Sequence, residues 1–273
     1  MIRLAAVSYL NARPLVAGLE REPGVSVVTD VPARLLELLL DDRADAALCP
    51  IVDYQTAPRD LVIVPGSAIG ADGETLTVRL FARRPLDEVE TVHVDPDSHT
   101  SVVLLRVLLA ERTGRLPRVE PLPPDWGPRS PAVPEAVLLI GDKVVARAPS
   151  RERYPETLDL GRAWRQLTGL PFVFACWMAP AGRDLGDLPT RLAARRTANL
   201  DRLPDLVREA LPPGWTEPLA RRYLGRLLRY DLGPTQLDAM DEFWRRADAL
   251  GLLDGVRPLQ LYGDARDADR ETA

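Results

Sequence analysis

The sequence predicts an α/β protein of two lobes with a ligand cleft between them. Three observations carry that prediction. The N-terminal part runs strand, helix, strand, helix, strand; a second strand-and-helix series opens after a proline-marked exit at Arg83-Arg84-Pro85-Leu86; and an aromatic, β-branched strand at 171–177 leads into a C-terminal region that is helical throughout. At 273 residues and 46% hydrophobic composition the chain has ample material for a core in either one large domain or two lobes. The expected division is a first lobe of residues 1–83 plus 178–273, with residues 84–177 inserted as the second.

Ile2 to Val7 is apolar enough for a buried strand and runs into Ser8-Tyr9-Leu10-Asn11, where polarity and turn-forming residues arrive together. In open α/β sheets the carboxyl end of a parallel strand borders the ligand crevice, because the crossover leaves backbone N–H groups and a helix start there. Arg13-Pro14 opens that helix, with Leu15, Val16 and Leu19 on one apolar face. Val25 to Val28 is a second strand, Pro32 to Asp41 a leucine-rich helix apolar on most of its circumference, and Asp45 to Pro50 a third strand. Leu61 to Val64 is a further strand. The glycine-rich segment Gly66 to Gly73 lacks dinucleotide-fingerprint spacing and reads as a surface turn.

Leu76 to Ala82 is a strand in which Thr77 fits ordinary polar alternation. Val89 to Val94 opens the second series, with His93 as a packed histidine. Asp97-Ser98-His99-Thr100-Ser101 precedes an apolar helical run. Such hydroxyls cap a helix, and the same N–H groups and positive dipole end bind a carboxylate. Pro117 to Pro134 is a proline-dense connection, and Val137 to Ile140 a buried strand ending at Gly141-Asp142, where Asp142 contacts ligand or caps the next element. Thr168-Gly169-Leu170-Pro171 turns the chain into the aromatic strand. Helices are expected at Leu192 to Leu203, Asp205 to Leu211, Glu217 to Arg229 and Thr235 to Leu250, the last closing the back of the first lobe with Leu237, Met240, Phe243 and Trp244. The charged tail from Asp264 to Ala273 is expected to fray.

Composition narrows the function. A net charge of −5 provides no basic field for nucleic acid, and no apolar stretch is long enough to span a bilayer. Lys143 is the only lysine in a chain whose other basic residues are arginine, a bias expected of a GC-rich genome, so lysine chemistry of any kind would have to use it. Cys49 and Cys176 read as buried thiols, and the N-terminus lacks the pattern of a signal peptide, which together predict a cytoplasmic protein. Two histidines without cysteine or histidine partners at ligand spacing predict no metal site. Neither a nucleophile elbow nor Walker A spacing is present. The polar candidates Ser8, Tyr9, Asn11, Thr77, Ser98, Thr100, Ser101, Asp142 and Thr168 are mostly neutral hydrogen-bonding groups, which suits a small anion held by hydroxyls, an amide and backbone N–H groups.

Ser8-Tyr9-Leu10-Asn11 with Arg13-Pro14-Leu15 resembles the signature of the chorismate dehydratases of the futalosine route to menaquinone, cytoplasmic relatives of the two-lobed solute-binding proteins. Further family-like strings follow: Asp45 to Pro50 with Asp53-Tyr54, Ser98-His99-Thr100-Ser101-Val102, Leu138 to Asp142, and Asp159-Leu160-Gly161 with Trp164 and Leu167 to Trp177. The resemblance implies a periplasmic-binding-protein type II-like fold. It also implies cofactor-independent loss of water from dianionic chorismate to give 3-[(1-carboxyvinyl)oxy]benzoate. Asn11 and Tyr9 are then the expected catalytic residues, and Ser8, Thr77, Ser98, Thr100, Ser101, Asp142, Thr168 and Gly169 the expected binding residues. The sister enzyme of the same route, which forms 1,4-dihydroxy-6-naphthoate, a non-catalytic solute-binding protein and a ligand-sensing regulatory domain are the alternatives. The Ser-Tyr-Leu-Asn string argues against the first and the missing export signal against the second; no oligomeric state follows from the sequence.

Overall fold

In the computed structural model, which describes residues 1–131 and 133–264, the chain folds into two mixed sheets flanked by helices. The chain opens with β1 (Ile2–Val7), the one-turn helix α1 (Arg13–Val16), β2 (Val25–Asp30), α2 (Pro32–Leu40), β3 (Ala46–Pro50), α3 (Ile51–Thr56) and β4 (Leu61–Ala71). α1 is shorter than its apolar spacing predicts because Ala17 already turns extended, with φ −60° and ψ 123°. Asn199 holds this short helix from below, donating from Nδ2 to the carbonyls of Pro14 and Ala17 at 3.1 and 2.9 Å. α2 buries one face, Leu35, Leu38 and Leu39, and leaves Leu36 and Leu40 half-buried.

Most of the glycine-rich segment expected as a surface turn, Gly66 to Ala71, lies inside β4. The reason is a close approach: a Cβ on Gly70 would sit 2.6 Å from the carbonyl oxygen of Phe172 on the neighbouring strand. Glycine in a strand marks such a contact as readily as it marks a turn.

The second series comprises β5 (Val78–Ala82), β6 (Thr91–Val94), α4 (Thr100–Thr113), β7 (Arg118–Pro121), β8 (Ala136–Ile140), α5 (Asp142–Arg147), β9 (Glu156–Asp159) and α6 (Leu160–Thr168). β10 (Phe172–Pro180) returns to the first sheet and is followed by α7 (Leu188–Asp201), α8 (Leu203–Glu209), α9 (Glu217–Arg222), a π-helical turn at Tyr223–Leu227, the short β11 (Leu228–Arg229) and α10 (Pro234–Ala249). Of the expected tail, only Asp264 falls within the described residues.

The sheet orders are β11-β4-β10-β3-β1-β2 and β7-β6-β8-β5-β9. Each sheet repeats one plan. β1 in one sheet and β6 in the other have a parallel neighbour on both sides, and β10 and β5, the strands that adjoin the chain crossings, insert antiparallel beside β3 and β8. That exchange shifts the expected crossings. β5 pairs with β8 and β9 in the second sheet, while β10 pairs with β3 and β4 in the first. The chain therefore changes sheets between 71 and 78 and again between 159 and 172, ahead of the expected boundaries at 84 and 177. Proline at 85 marks the end of a strand already in the second sheet.

Aromatic packing ties the C-terminal helix to this frame. Phe243 meets Phe172 and Trp164 edge-on at centroid distances of 5.1 and 6.1 Å, and Trp244 stacks on Tyr54 at 5.4 Å. Met240, Phe243 and Trp244 are buried as the helical spacing predicts, whereas Leu237 stays half-buried. α10 packs on β10, α3 and also α4, so it braces the second lobe as well as the first. Cys49 and Cys176 are cross-strand partners on β3 and β10, and both are buried free thiols.

Candidate functional site

Where the two sheets face each other, a cavity opens at the carboxyl ends of β1, β3 and β8. The first sheet contributes Val7, Tyr9, Asn11, Pro50, Phe174 and Ala175, and the second contributes Val78, Ile140 and Gly141. Ser98, Thr100 and Ser101 enter from the start of α4, Thr75 and Thr77 from the connection ahead of β5, and Tyr223 from the π-helical turn. The cavity volume is about 60 Å³.

Local structure explains how each polar group arrives. Tyr9 is extended, with φ −78° and ψ 161°, and the 3₁₀ turn Leu10–Ala12 that follows it carries Asn11 into the cavity. Asn11 Oδ1 is buried and has no hydrogen-bond partner among the described residues. An unpaired buried amide oxygen is costly, typically about 1–3 kcal/mol, and such a group calls for an explanation. At the start of α4 the Ser98 hydroxyl accepts from the Ser101 N–H at 3.3 Å, and the Thr100 hydroxyl accepts from the Val52 N–H of α3 at 3.2 Å. A hydroxyl has one proton to give. With lone pairs of both oxygens engaged by protein N–H groups, both protons remain for an acceptor in the cavity. Thr77 Oγ1 and Tyr223 Oη are 2.6 Å apart, so one donates to the other and one O–H is left over.

None of the residues lining the cavity is Asp, Glu, His, Lys or Arg. Burial holds the Tyr223 hydroxyl in its protonated form, and burial followed by the bond to Asp97 does the same for Tyr9. The wall is thus neutral and donor-rich, with the positive end of the α4 dipole added.

Six of the expected site residues, Tyr9, Asn11, Thr77, Ser98, Thr100 and Ser101, line this one cavity. Four do not. Ser8 is exposed, its N–H spent on the carbonyl of Asp30 at 3.1 Å. Asp142 turns its carboxylate to the Leu10 N–H at 3.2 Å and to Trp215 Nε1 at 3.0 Å, so it fastens the end of β8 to the other lobe. Thr168 and Gly169 close α6 instead. The Thr168 hydroxyl donates to the Trp164 carbonyl at 2.9 Å and accepts from the Leu170 N–H at 3.1 Å, and Gly169 is the left-handed cap at φ +73°. A Thr-Gly-Leu-Pro string serves a helix end as well as it serves a ligand. Tyr223 and Thr75 were missed: Tyr223 sits in what reads as continuous amphipathic helix, and a π-helical turn leaves no sequence signal.

Tyr9 also differs in detail. Its ring lines the cavity, but its hydroxyl donates to Asp97 Oδ2 at 2.7 Å. A further cross-lobe polar pair is His99 Nδ1 with the buried carboxylate of Asp53 at 2.7 Å. That hydrogen bond raises the His99 pKa above its ordinary value, while burial raises that of Asp53.

A sequence profile described as menaquinone biosynthesis, VitK2_biosynth, matches residues 2–249. The chain belongs to that family. Within the menaquinone-biosynthesis family it is similar to chorismate dehydratase of Thermus thermophilus, at 33% identity over 183 residues, covering 62% of this chain and 66% of that one. The aligned part thus spans slightly less than two thirds of that relative's length.

Solved structures share the fold at lower identity. A protein from Archaeoglobus fulgidus superposes with TM-score 0.68 at 13% identity, covering 92% of this chain and 98% of that one. The periplasmic aliphatic sulphonate binding protein SsuA of Escherichia coli gives 0.59 at 17%, covering 96% and 94%. This member of the menaquinone-biosynthesis family therefore has the two-lobed periplasmic-binding-protein fold.

Proposed function

We propose that the protein removes water from chorismate to form 3-[(1-carboxyvinyl)oxy]benzoate, without a cofactor, as a cytoplasmic enzyme of the futalosine route. The observation that carries this reading is Asn11: a buried amide oxygen with no partner among the described residues, in a neutral cavity whose hydroxyls keep their protons for a ligand. Membership of a menaquinone-biosynthesis family and similarity to a chorismate dehydratase support chorismate as the substrate.

Chorismate carries two carboxylates and a ring hydroxyl. Losing the proton from the ring carbon that bears the enolpyruvyl ether, together with hydroxide from the neighbouring carbon, turns the broken C–H pair into the last ring double bond. The proton and hydroxide leave as water, and aromatisation drives the step. With no carboxylate or imidazole in the wall, the enolpyruvyl carboxylate of the substrate is the base, held near the ring proton by the α4 hydroxyls and N–H groups. Asn11 holds the ring hydroxyl, its Oδ1 accepting the hydroxyl proton and its Nδ2–H donating to the oxygen as it departs. Tyr9, whose proton is committed to Asp97, closes the cavity with its ring.

Incubating the pure protein with chorismate and following the product by ultraviolet absorbance and mass tests this. Formation of the enol ether with loss of water supports the reading; unchanged chorismate overturns it, as does wild-type turnover by Asn11→Ala.

A further inference from the structure

Lys143 stands at the start of α5 and is the one lysine in a chain with 35 lysines and arginines together. The reaction proposed above does not use it. Its ammonium lies between two carboxylates, 2.7 Å from Asp95 Oδ1 and in contact with Asp97 Oδ2. Asp95 is 1% exposed, and its Oδ2 has no partner among the described residues. Asp97 Oδ2, in turn, is the atom to which Tyr9 of the first lobe donates its hydroxyl proton. Three strand ends thus meet in one network: β1 brings Tyr9, β6 brings Asp95 and Asp97, and β8 brings Lys143. A compact ammonium suits two carboxylates that converge on a point, whereas the flat fork of arginine suits one carboxylate held side by side.

We propose that Lys143 is a positioning residue for cleft closure: by placing its positive charge between Asp95 and Asp97 it holds Asp97 where Tyr9 latches the first lobe to the second. Without the ammonium, two carboxylates would face each other, one of them fully buried. Charge repulsion and the cost of a buried unpaired charge then displace Asp97 or load it with a proton, and either change weakens its grip on Tyr9. The latch lies beside the cavity and touches no reacting atom, so its loss shifts the open–closed balance and leaves the closed site intact.

This deepens the proposed dehydration and rests on it for the kinetic half of its test; amide hydrogen exchange of the substrate-free protein provides the independent half. In Lys143→Met and in Tyr9→Phe, exchange is expected to quicken at least fivefold across residues 8–12 and 141–145, on the two sides of the cleft, with residues 46–50 of the β3 interior unchanged. The double variant is expected to match the faster single variant, because both substitutions break one chain of contacts. With chorismate, Lys143→Met should raise KM about tenfold and keep kcat within twofold, the pattern of a lower closed fraction. Unchanged exchange at 8–12, quickening that extends equally into 46–50, or multiplicative effects in the double variant would each overturn the latch. Should the wild type leave chorismate untouched, the functional reading falls and the exchange comparison still decides the latch.

Discussion

Gly141 and Tyr9 meet across the junction of the two lobes so closely that a Cβ on Gly141 would lie 2.6 Å from Tyr9 Cδ2. Gly141 also holds φ +58° and ψ −145°, a region that side chains rarely adopt. Gly141→Ala is therefore expected to cost about 1–3 kcal/mol from backbone strain alone. It should also push the Tyr9 ring off the cavity. Urea unfolding reads the first effect and a raised KM for chorismate the second.

Asn11 separates stability from activity. Its amide oxygen has no partner to lose, so Asn11→Leu should leave the urea midpoint unchanged or raise it, within about 0.5 kcal/mol. Turnover should fall by about a hundredfold, as for removal of a single group that stabilises a developing charge. A variant that lost stability and activity in proportion would contradict this.

The Tyr223 hydroxyl is the partner of Thr77 at 2.6 Å, and both residues are buried. Tyr223→Phe leaves the Thr77 hydroxyl unpaired, at a cost of about 1–2 kcal/mol. It also removes one hydroxyl from the cavity wall, so substrate affinity should fall along with the thermal midpoint.

Asp159 secures the two chain crossings to each other. Its carboxylate accepts from the N–H groups of Thr75 at 3.0 Å, Leu76 at 2.8 Å and Arg162 at 3.1 Å. Leu76 is held at φ +65°, an unfavourable conformation for leucine that these bonds sustain. Asp159→Ala is expected to destabilise by about 2–4 kcal/mol, through lost charge-assisted bonds and a lost helix cap. Chemical denaturation measures it directly.

His99 gives the closed form a pH dependence. Its hydrogen bond to Asp53 raises its pKa above the ordinary 6.5. A histidine raised on folding contributes stability that is complete below 6.5 and is lost as pH climbs through the folded value. Burial also raises the Asp53 pKa, so its own contribution fades with rising pH in the same sense, from a lower starting point. The thermal midpoint should fall as pH rises above neutrality, and His99→Gln should flatten that slope. A steeper slope in the variant would reverse the assignment.

Much of the site was readable because short strings carry their own local logic. A strand that ends in Ser-Tyr-Leu-Asn, and hydroxyls set just before an apolar helix, must place polar groups at element ends, where crevices form. That is why Asn11 and Thr100, far apart along the chain, could be assigned to one cavity. Thr168, Gly169, Ser8 and Asp142 were misplaced because capping, surface exposure and lobe-to-lobe fastening draw on the same residue types as ligand binding. The strand exchange that moves both crossings escaped for a related reason: alternation identifies a strand without naming its sheet.

The sequence by itself determined the class of fold, the opening alternation of strand and helix, and the neutral, hydroxyl-rich character of the cleft, since these follow from periodicity, breakers and side-chain chemistry within short windows. Tertiary structure alone decided that Tyr9 spends its proton on Asp97, that Lys143 sits between two carboxylates, and that Tyr223 reaches the cavity from a π-helical turn. Those outcomes depend on groups brought together from distant segments, and only the packing of one lobe against the other sets those distances.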